Sequence, residues 1–265
     1  MVGDQSWIPD EVDAERPNPA RMYDYYLGGA HNFAADRLLA DRALAVQPAL
    51  ARAAQCNRRF LGRVVRYSIE AGIDQFLDLG SGIPTAGNVH QVAQQHNPSA
   101  RVAYVDNESV AVAHSAELLT GNSNASITQA DLRDVDAVLN APGVAGLLDF
   151  ERPVALLTVA VMHFLPDSQA PWDVFNRYCD VLAPGSTVAF SHCSLEGMPS
   201  EWNEVTELYK SSTTPVYPRN KAELERFFVG MTMVEPGIVD AVAWRPDDGE
   251  QETERSGFYA TAAQV

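Results

Sequence analysis

The spacing of apolar positions divides the chain into two regimes. From Phe33 to Gln47 apolar residues recur at helical spacing, with Asn32 placed to act as N-cap, Asp36 in the first turn and Pro48 ending the run. A second helix is predicted from Pro48 to Ala71, with Gly72 at its C-terminus. Beyond this point the period shortens. Gln75 to Asp78, Arg101 to Asp106, Ala125 to Asp131, Val154 to Val161 and Ser186 to Ser191 are short apolar runs, mostly rich in β-branched or aromatic residues, and each reads as a strand. Between them lie helical stretches at Pro84 to His96, Ser109 to Leu119, Asp134 to Leu139 and Ser168 to Leu182.

Strands alternating with helices, the fourth strand being almost continuously apolar, predict a parallel sheet covered on both faces. The C-terminal part follows another plan. Two helices, Pro199 to Lys210 and Lys221 to Val229, precede two strand candidates, Met231 to Val242 and Gly257 to Val265, joined by the acidic loop Arg245 to Arg255. Asn220 with Glu223 three residues on gives the second helix a capped start. Residues 1–20 are polar, carry Pro17 and Pro19 and lack periodicity, so they read as an arm. The expected organisation is an N-terminal arm and helical lid segment over 1–71, then an α/β domain over 72–265 with a helical insertion at about 197–229.

Composition narrows the class. The 265 residues are 46% apolar and 20% charged, which supports a packed core and excludes a collagenous or low-complexity chain. The longest apolar stretch, Val154 to Met162, is far short of the roughly 20 residues a membrane span requires. Nothing at the N-terminus reads as a secretion signal, and a cytoplasmic protein is expected. The net charge of −16, with acidic residues spread along the chain, opposes a phosphate backbone and predicts no nucleic-acid partner. The densest basic stretch, Arg58, Arg59, Arg63 and Arg66, reads as a solvated helix face. Cys56, Cys179 and Cys193 contain no C-x-x-C pair, so neither a disulfide framework nor a metal site is expected.

The segment Phe76-Leu-Asp78-Leu-Gly80-Ser-Gly82-Ile-Pro-Thr85 sits where the first strand gives way to the first helix of the sheet. Glycines there admit close approach of a ligand to the backbone. A dinucleotide fingerprint needs a third glycine where Thr85 stands, so a pyrophosphate is disfavoured, and with it a nicotinamide-dependent oxidoreductase. The remaining acid followed by Gly-x-Gly suits a ligand with a positive group and no phosphate, as S-adenosylmethionine is. Asp106, ending the second strand 24 residues past Gly82, can hold both hydroxyls of a ribose. Asp131 after the third strand can accept from an adenine amino group while Leu132 packs on the ring. All three acids would then lie along one edge of the sheet.

With these residues the chain resembles the class I S-adenosylmethionine-dependent methyltransferases from about Ile73 onward. Met162-His-Phe-Leu-Pro-Asp167 is similar to that group's segment after the fourth strand, Leu182-Ala-Pro184-Gly185-Ser186 to its turn into the fifth, and the last two strands to its reversed hairpin. A narrower resemblance, carried by Arg21-Met-Tyr-Asp-Tyr-Tyr-Leu-Gly-Gly-Ala-His-Asn-Phe-Ala-Ala-Asp36, Gly82-Ile-Pro-Thr85 and Tyr104-Val-Asp-Asn107, is to the actinobacterial S-adenosyl methyltransferases, a family whose acceptor the resemblance does not supply. It departs from the broad class at Pro84 and Thr85, which replace the usual third glycine.

The resemblance implies a doubly wound, Rossmann-like, mostly parallel sheet of seven strands with the C-terminal hairpin reversed, plus the N-terminal helical extension. It implies S-adenosylmethionine as cofactor, held by Asp78, Gly80, Ser81, Gly82, Thr85, Asp106, Asn107, Asp131, Leu132 and Ala160, together with Tyr23, Tyr26, Gly28 and His31 from the N-terminal segment. Gly28-Gly29 would give that segment freedom to fold over the ligand. His163, just past the fourth strand, is the best-placed general base, with His31 as a second candidate and His192 open to either role. His90, His96 and His114 fall on predicted helices and read as structural or exposed. The expected activity is methyl transfer to a neutral or cationic small-molecule acceptor, with Pro215-Val-Tyr217-Pro218 as one wall of its pocket. A sensor that binds S-adenosylmethionine without turnover is the alternative, and the oligomeric state is left open.

Overall fold

A computed structural model describes residues 12–85, 87–250 and 254–265. In chain order the elements are helices α1 (Pro19–Tyr26), α2 (Ala34–Val46) and α3 (Leu50–Glu70), then β1 (Gln75–Leu79), α4 (Val89–His96), β2 (Arg101–Asp106), α5 (Ser109–Leu118), β3 (Ala125–Gln129), α6 (Val135–Asn140), α7 (Pro142–Ala145), β4 (Ala155–Val159), α8 (Pro171–Cys179) and β5 (Thr187–Cys193). The last part comprises α9 (Glu201–Tyr209), α10 (Lys221–Glu225), β6 (Thr232–Met233), β7 (Val239–Asp240) and β8 (Phe258–Gln264).

The sheet runs β3-β2-β1-β4-β5-β8-β6, with β7 also paired to β8. Strands β1 to β5 are mutually parallel, and β8 lies antiparallel to β5, β6 and β7. The doubly wound sheet with its reversed C-terminal hairpin is therefore present. The seventh strand position, expected as one run from Met231 to Val242, is split into β6 and β7 because Pro236 and Gly237, the latter at φ +80°, turn the chain between them.

Alternation along the strands feeds two cores. Leu77, Leu79, Val105, Leu156 and Phe190 face α6, α7 and α8, whereas Phe76, Val102, Leu157, Ala189 and Ala260 face α3, α4 and Trp244. A third cluster, Met22, Tyr26, Leu39, Ala43, Leu50, Ala53, Trp202 and Val205, joins α1, α2 and α3 to α9. The N-terminal helices thus share a core with the C-terminal insertion.

Two local expectations change. The helix expected from Pro84 begins only at Val89: Pro84 and Thr85 lie outside any helix, with Thr85 donating to Asp24 at 2.6 Å. The N-cap of α2 is Phe33, not Asn32: the Asp36 carboxylate accepts the Phe33 N–H at 2.7 Å, and the Asn32 amide is turned to Asp24. The capped start at Asn220 forms as expected, with Asn220 and Glu223 exchanging hydrogen bonds of 2.7 and 3.0 Å.

Candidate active site

The order of strands reverses between β1 and β4, and ligands of open α/β sheets bind outside the carboxyl ends of strands at such a point. A cavity of about 470 Å³ lies there, bounded by the ends of β1 to β5, by α1, α3 and α9, and by residues 213–217. That volume falls in the usual range for small-molecule sites. Its wall includes Tyr23, Tyr26, Asp78, Gly80, Ser81, Gly82, Asp106, Asn107, Asp131, Leu132, Ala160 and His163. Of the residues expected there, Gly28, His31 and Thr85 stand off the wall. His31 and Thr85 instead bond to Asp24, whose buried carboxylate accepts from the Thr85 hydroxyl, the His31 N–H at 2.9 Å and the Asn32 amide at 2.9 Å. The His31 ring stacks on His114 with centroids 3.6 Å apart. Gly28, at φ +81°, closes the turn after α1.

The loop after β1 is fixed by its neighbours. Gly80 lies at φ +68°, and a Cβ there would collide with the Val161 side chain, so β1 and the segment after β4 approach closely only because this residue is glycine. Asp106 accepts the Gly82 N–H at 2.7 Å and the Glu108 N–H at 2.8 Å. Burial raises the Asp106 carboxyl above its ordinary range, and these N–H donors pull it back. A carboxylate with two accepted hydrogen bonds keeps lone pairs for further donors. Burial pushes Asp78 up to about 7, nearby Asp106 adds to the rise, and the Arg58 guanidinium opposes it. Asp131 differs: it is about one-third exposed and is ion-paired with Arg133, which holds it below the ordinary carboxylate range.

His163 is buried against the far end of the cavity. The Cys193 N–H donates to its Nδ1 at 3.2 Å, so the imidazole proton resides on Nε2. Burial, with Arg219 nearby, depresses its pKa to about 3. At neutral pH it is an uncharged ring presenting an N–H. His192 is fully buried and fixed between the Cys193 carbonyl at 2.8 Å and Arg219 at 3.0 Å. Arg219 also donates to the Leu165 carbonyl at 2.8 Å and pairs with Asp167 at 2.7 Å, tying the segment after β4 to residues 213–219.

Several wall residues had no motif to announce them. Asn57 receives the Ser191 hydroxyl at 2.5 Å and donates to the Tyr23 oxygen at 3.1 Å, while Ser191 also accepts the N–H of Ala160 at 3.0 Å. This chain of bonds holds Ala160 at φ +56°, an unfavourable conformation for a residue with a Cβ. Arg58 reaches the cavity beside the Tyr23 ring, 5.8 Å from its centroid, and its buried Nε has no hydrogen-bond partner. Ser81 Oγ, also on the wall, is buried and unpartnered too. The helical spacing of the arginines on α3 was the only signal available for Arg58. The other three are not a solvated face. Arg63 donates to the Trp244 and Ala241 carbonyls at 2.9 and 2.6 Å and pairs with Glu250, Arg66 pairs with Asp247, and Arg59 pairs with Glu250 at 3.3 Å, so residues 241–250 cover the basic ridge.

A family model described as S-adenosyl methyltransferase matches residues 5–265. The chain belongs to the S-adenosyl methyltransferase family. It is therefore an S-adenosylmethionine-dependent methyltransferase. The methyltransferase is 36% identical to a Streptomyces avermitilis protein of the DUF574 family over 95% of this chain and 98% of that one, with a TM-score of 0.91. It is 38% identical to a methyltransferase candidate from Thermobifida fusca over 97% and 98% of the two chains, with a TM-score of 0.90. The N-methyltransferase NodS of Bradyrhizobium japonicum, solved with S-adenosylhomocysteine, shares the fold at a TM-score of 0.51 and 12% identity, over 78% of this chain and 86% of that one. No curated protein matches the chain.

The residues present fit the cofactor. Unpartnered polar groups at Arg58 and Ser81, acids at Asp78 and Asp106 and the open approach at Gly82, where a Cβ would meet nothing, all converge on one wall.

Proposed function

We propose that the methyltransferase acts on a small-molecule acceptor that enters the cavity beside the donor. The carrying observation is the continuity of the cavity from the acids at the ends of β1 to β3 to the wall made by α9 and residues 213–217. The size of that space suits a small molecule, and the charge of −16 opposes a nucleic acid.

When bound, S-adenosylmethionine supplies a methyl group on a sulfonium, with a neutral thioether as leaving group. In this reading Asp106 takes the ribose hydroxyls, Leu132 and Asp131 meet the adenine with Asn107 beside it, and Asp78 faces the ammonium. Arg58, left without a carboxylate partner among the described residues, takes the carboxylate of the amino-acid end. The chain's main work is then alignment, since holding two reactants at near-attack geometry removes much of a bimolecular barrier. His163 serves as a hydrogen-bond donor through Nε2 and orients the acceptor; its low pKa and its occupied Nδ1 suit it poorly to take a proton. Burial raises the hydroxyl of Tyr26 to about 12, and the Tyr209 hydroxyl lies 3.3 Å from it, so both stay protonated and can bind the acceptor as neutral groups. We also read the protein as cytoplasmic from its three free cysteines, which a reducing compartment preserves.

The test is an assay with radiolabelled donor against mixed small molecules, transfer RNA, DNA and cell protein. Label in the small-molecule fraction is the expected result. Label confined to nucleic acid or to protein would overturn the reading.

A further inference from the structure

The charges on the cavity wall are unevenly placed. Arg58, Asp78, Asp106, Glu108, Asp131 and Arg133 all come from α3 or from the carboxyl ends of β1 to β3. Among the described residues, the part of the wall built by the ends of β4 and β5, the start of β8, α9 and residues 213–217 contains no Asp, Glu, Lys or Arg. It presents instead His163, Phe164, Trp202, Tyr209, Tyr217 and Phe258. The His163 ring lies 4.4 Å from the Phe164 centroid and 6.0 Å from that of Phe258, and Trp202 packs directly over Gly257, where a Cβ would come within 2.9 Å of the indole.

Resting on the reading of this cavity as an acceptor site, we propose that the acceptor is a neutral, flat aromatic molecule held between the rings of Trp202, Tyr217, Phe258 and Phe164, with its polar substituent on His163 Nε2–H and the Tyr26 and Tyr209 hydroxyls. Aromatic rings bury large apolar area and prefer other rings at offset or edge-on geometry, and this part of the wall offers both rings and a few convergent polar groups. A cation or anion placed here would lose its hydration with no charged side chain on this part of the wall to replace it, since the Arg219 guanidinium behind the histidines is already paired with Asp167. The imidazole is neutral and the tyrosines are protonated at neutral pH, so none of them supplies a charge. Of the neutral and cationic acceptors that net charge alone allows, the wall selects the neutral.

Three probes with one ring system and different charge separate these cases: 2-naphthol, naphthalene-2-carboxylate and naphthalen-2-ylmethylammonium. Each is titrated calorimetrically into the methyltransferase with and without saturating S-adenosylhomocysteine. The neutral probe should bind at least tenfold more tightly than either charged one. Thr206→Asp, which adds a carboxylate to the α9 wall, should raise affinity for the ammonium probe at least tenfold and lower that for the naphthoate. Equal or tighter binding of a charged probe to the wild type would overturn the inference, as would absence of binding by all three. Binding of S-adenosylhomocysteine is read separately: a protein that prefers 2-naphthol yet takes up no S-adenosylhomocysteine keeps the aromatic site and loses the donor reading.

Discussion

At the scale of single residues the methyltransferase gives two of its cavity carboxylates, Asp106 and Asp78, different surroundings. Asp106 is held by two backbone N–H groups, at 2.7 and 2.8 Å. Asp106→Ala leaves those donors unmet and removes the proposed ribose contact, so affinity for S-adenosylhomocysteine should fall by about 1–3 kcal/mol, roughly five- to a hundredfold. Calorimetry returning equal affinity for variant and wild type would remove Asp106 from the site. Asp78 has no such donors among the described residues, and burial raises its folded pKa to about 7 from the ordinary 3.8. The folded state therefore keeps a proton that the unfolded chain releases between those values. Its stabilising contribution is complete below the unfolded pKa and is lost as pH rises through about 7. Asp78→Asn stays neutral throughout, so the fall in urea midpoint between about pH 5 and 8 should be smaller in the variant. An identical fall in both proteins would count against a raised Asp78.

At the scale of elements the segment around α1 is pinned rather than free. Arg21 is 2% exposed and pairs with Asp36 and Glu108, each at 2.9 Å, joining α1 to the starts of α2 and α5. Arg21→Met strands two buried carboxylates and should destabilise the fold by about 3–5 kcal/mol, whereas Lys210→Ala, at the exposed pair with Glu207, should cost less than about 1 kcal/mol. Urea denaturation of the two variants decides this. The Gly-Gly pair, read from sequence as a hinge, divides its duties. Gly28 needs its φ of +81° but has open space for a Cβ, so Gly28→Ala should cost about 1–2 kcal/mol. A Cβ on Gly29 would collide with the Asp24 carboxylate. Gly29→Ala should therefore cost more, because Asp24 must also give up Thr85, His31 and Asn32. A thermal melt showing the reverse order would exclude this account.

At the scale of the whole molecule the helical layer and the sheet depend on each other. Met22 and Tyr26 of α1 are buried against α2, α3 and α9. Removal of residues 1–32 takes Arg21 away from Asp36 and Glu108 and opens that core, so the shortened chain should lose cooperative unfolding as well as cofactor binding. A folded truncated protein, seen as a single sharp urea transition, would show the layer to be dispensable. The net charge of −16 acts against compactness through self-repulsion, only partly relieved where the acidic loop neutralises the α3 arginines. Raising salt from about 20 to 200 mM should therefore raise the melting temperature.

The class of fold was legible in the order of short apolar runs and helical stretches, because strand and helix periodicities are local properties of the sequence. That Asp78, Gly80, Asp106 and Asp131 share one wall was legible for a similar reason: in a parallel sheet the ends of successive strands fall along one edge, so order along the chain becomes neighbourhood in space. What the sequence could not carry was anything dependent on two distant segments meeting. Arg63 reads as one more surface arginine until residues 241–250 fold across it, and Arg58, one turn earlier, faces the cavity instead. Nothing in the sequence shows that the Cys193 N–H occupies Nδ1 of His163 or that burial keeps the ring uncharged. That Thr85 and His31 both bond to Asp24 has no signal in the sequence. Protonation state, ion pairing and the sorting of charged from aromatic walls are set by burial and by partners far away in sequence, and only the tertiary structure brings those together.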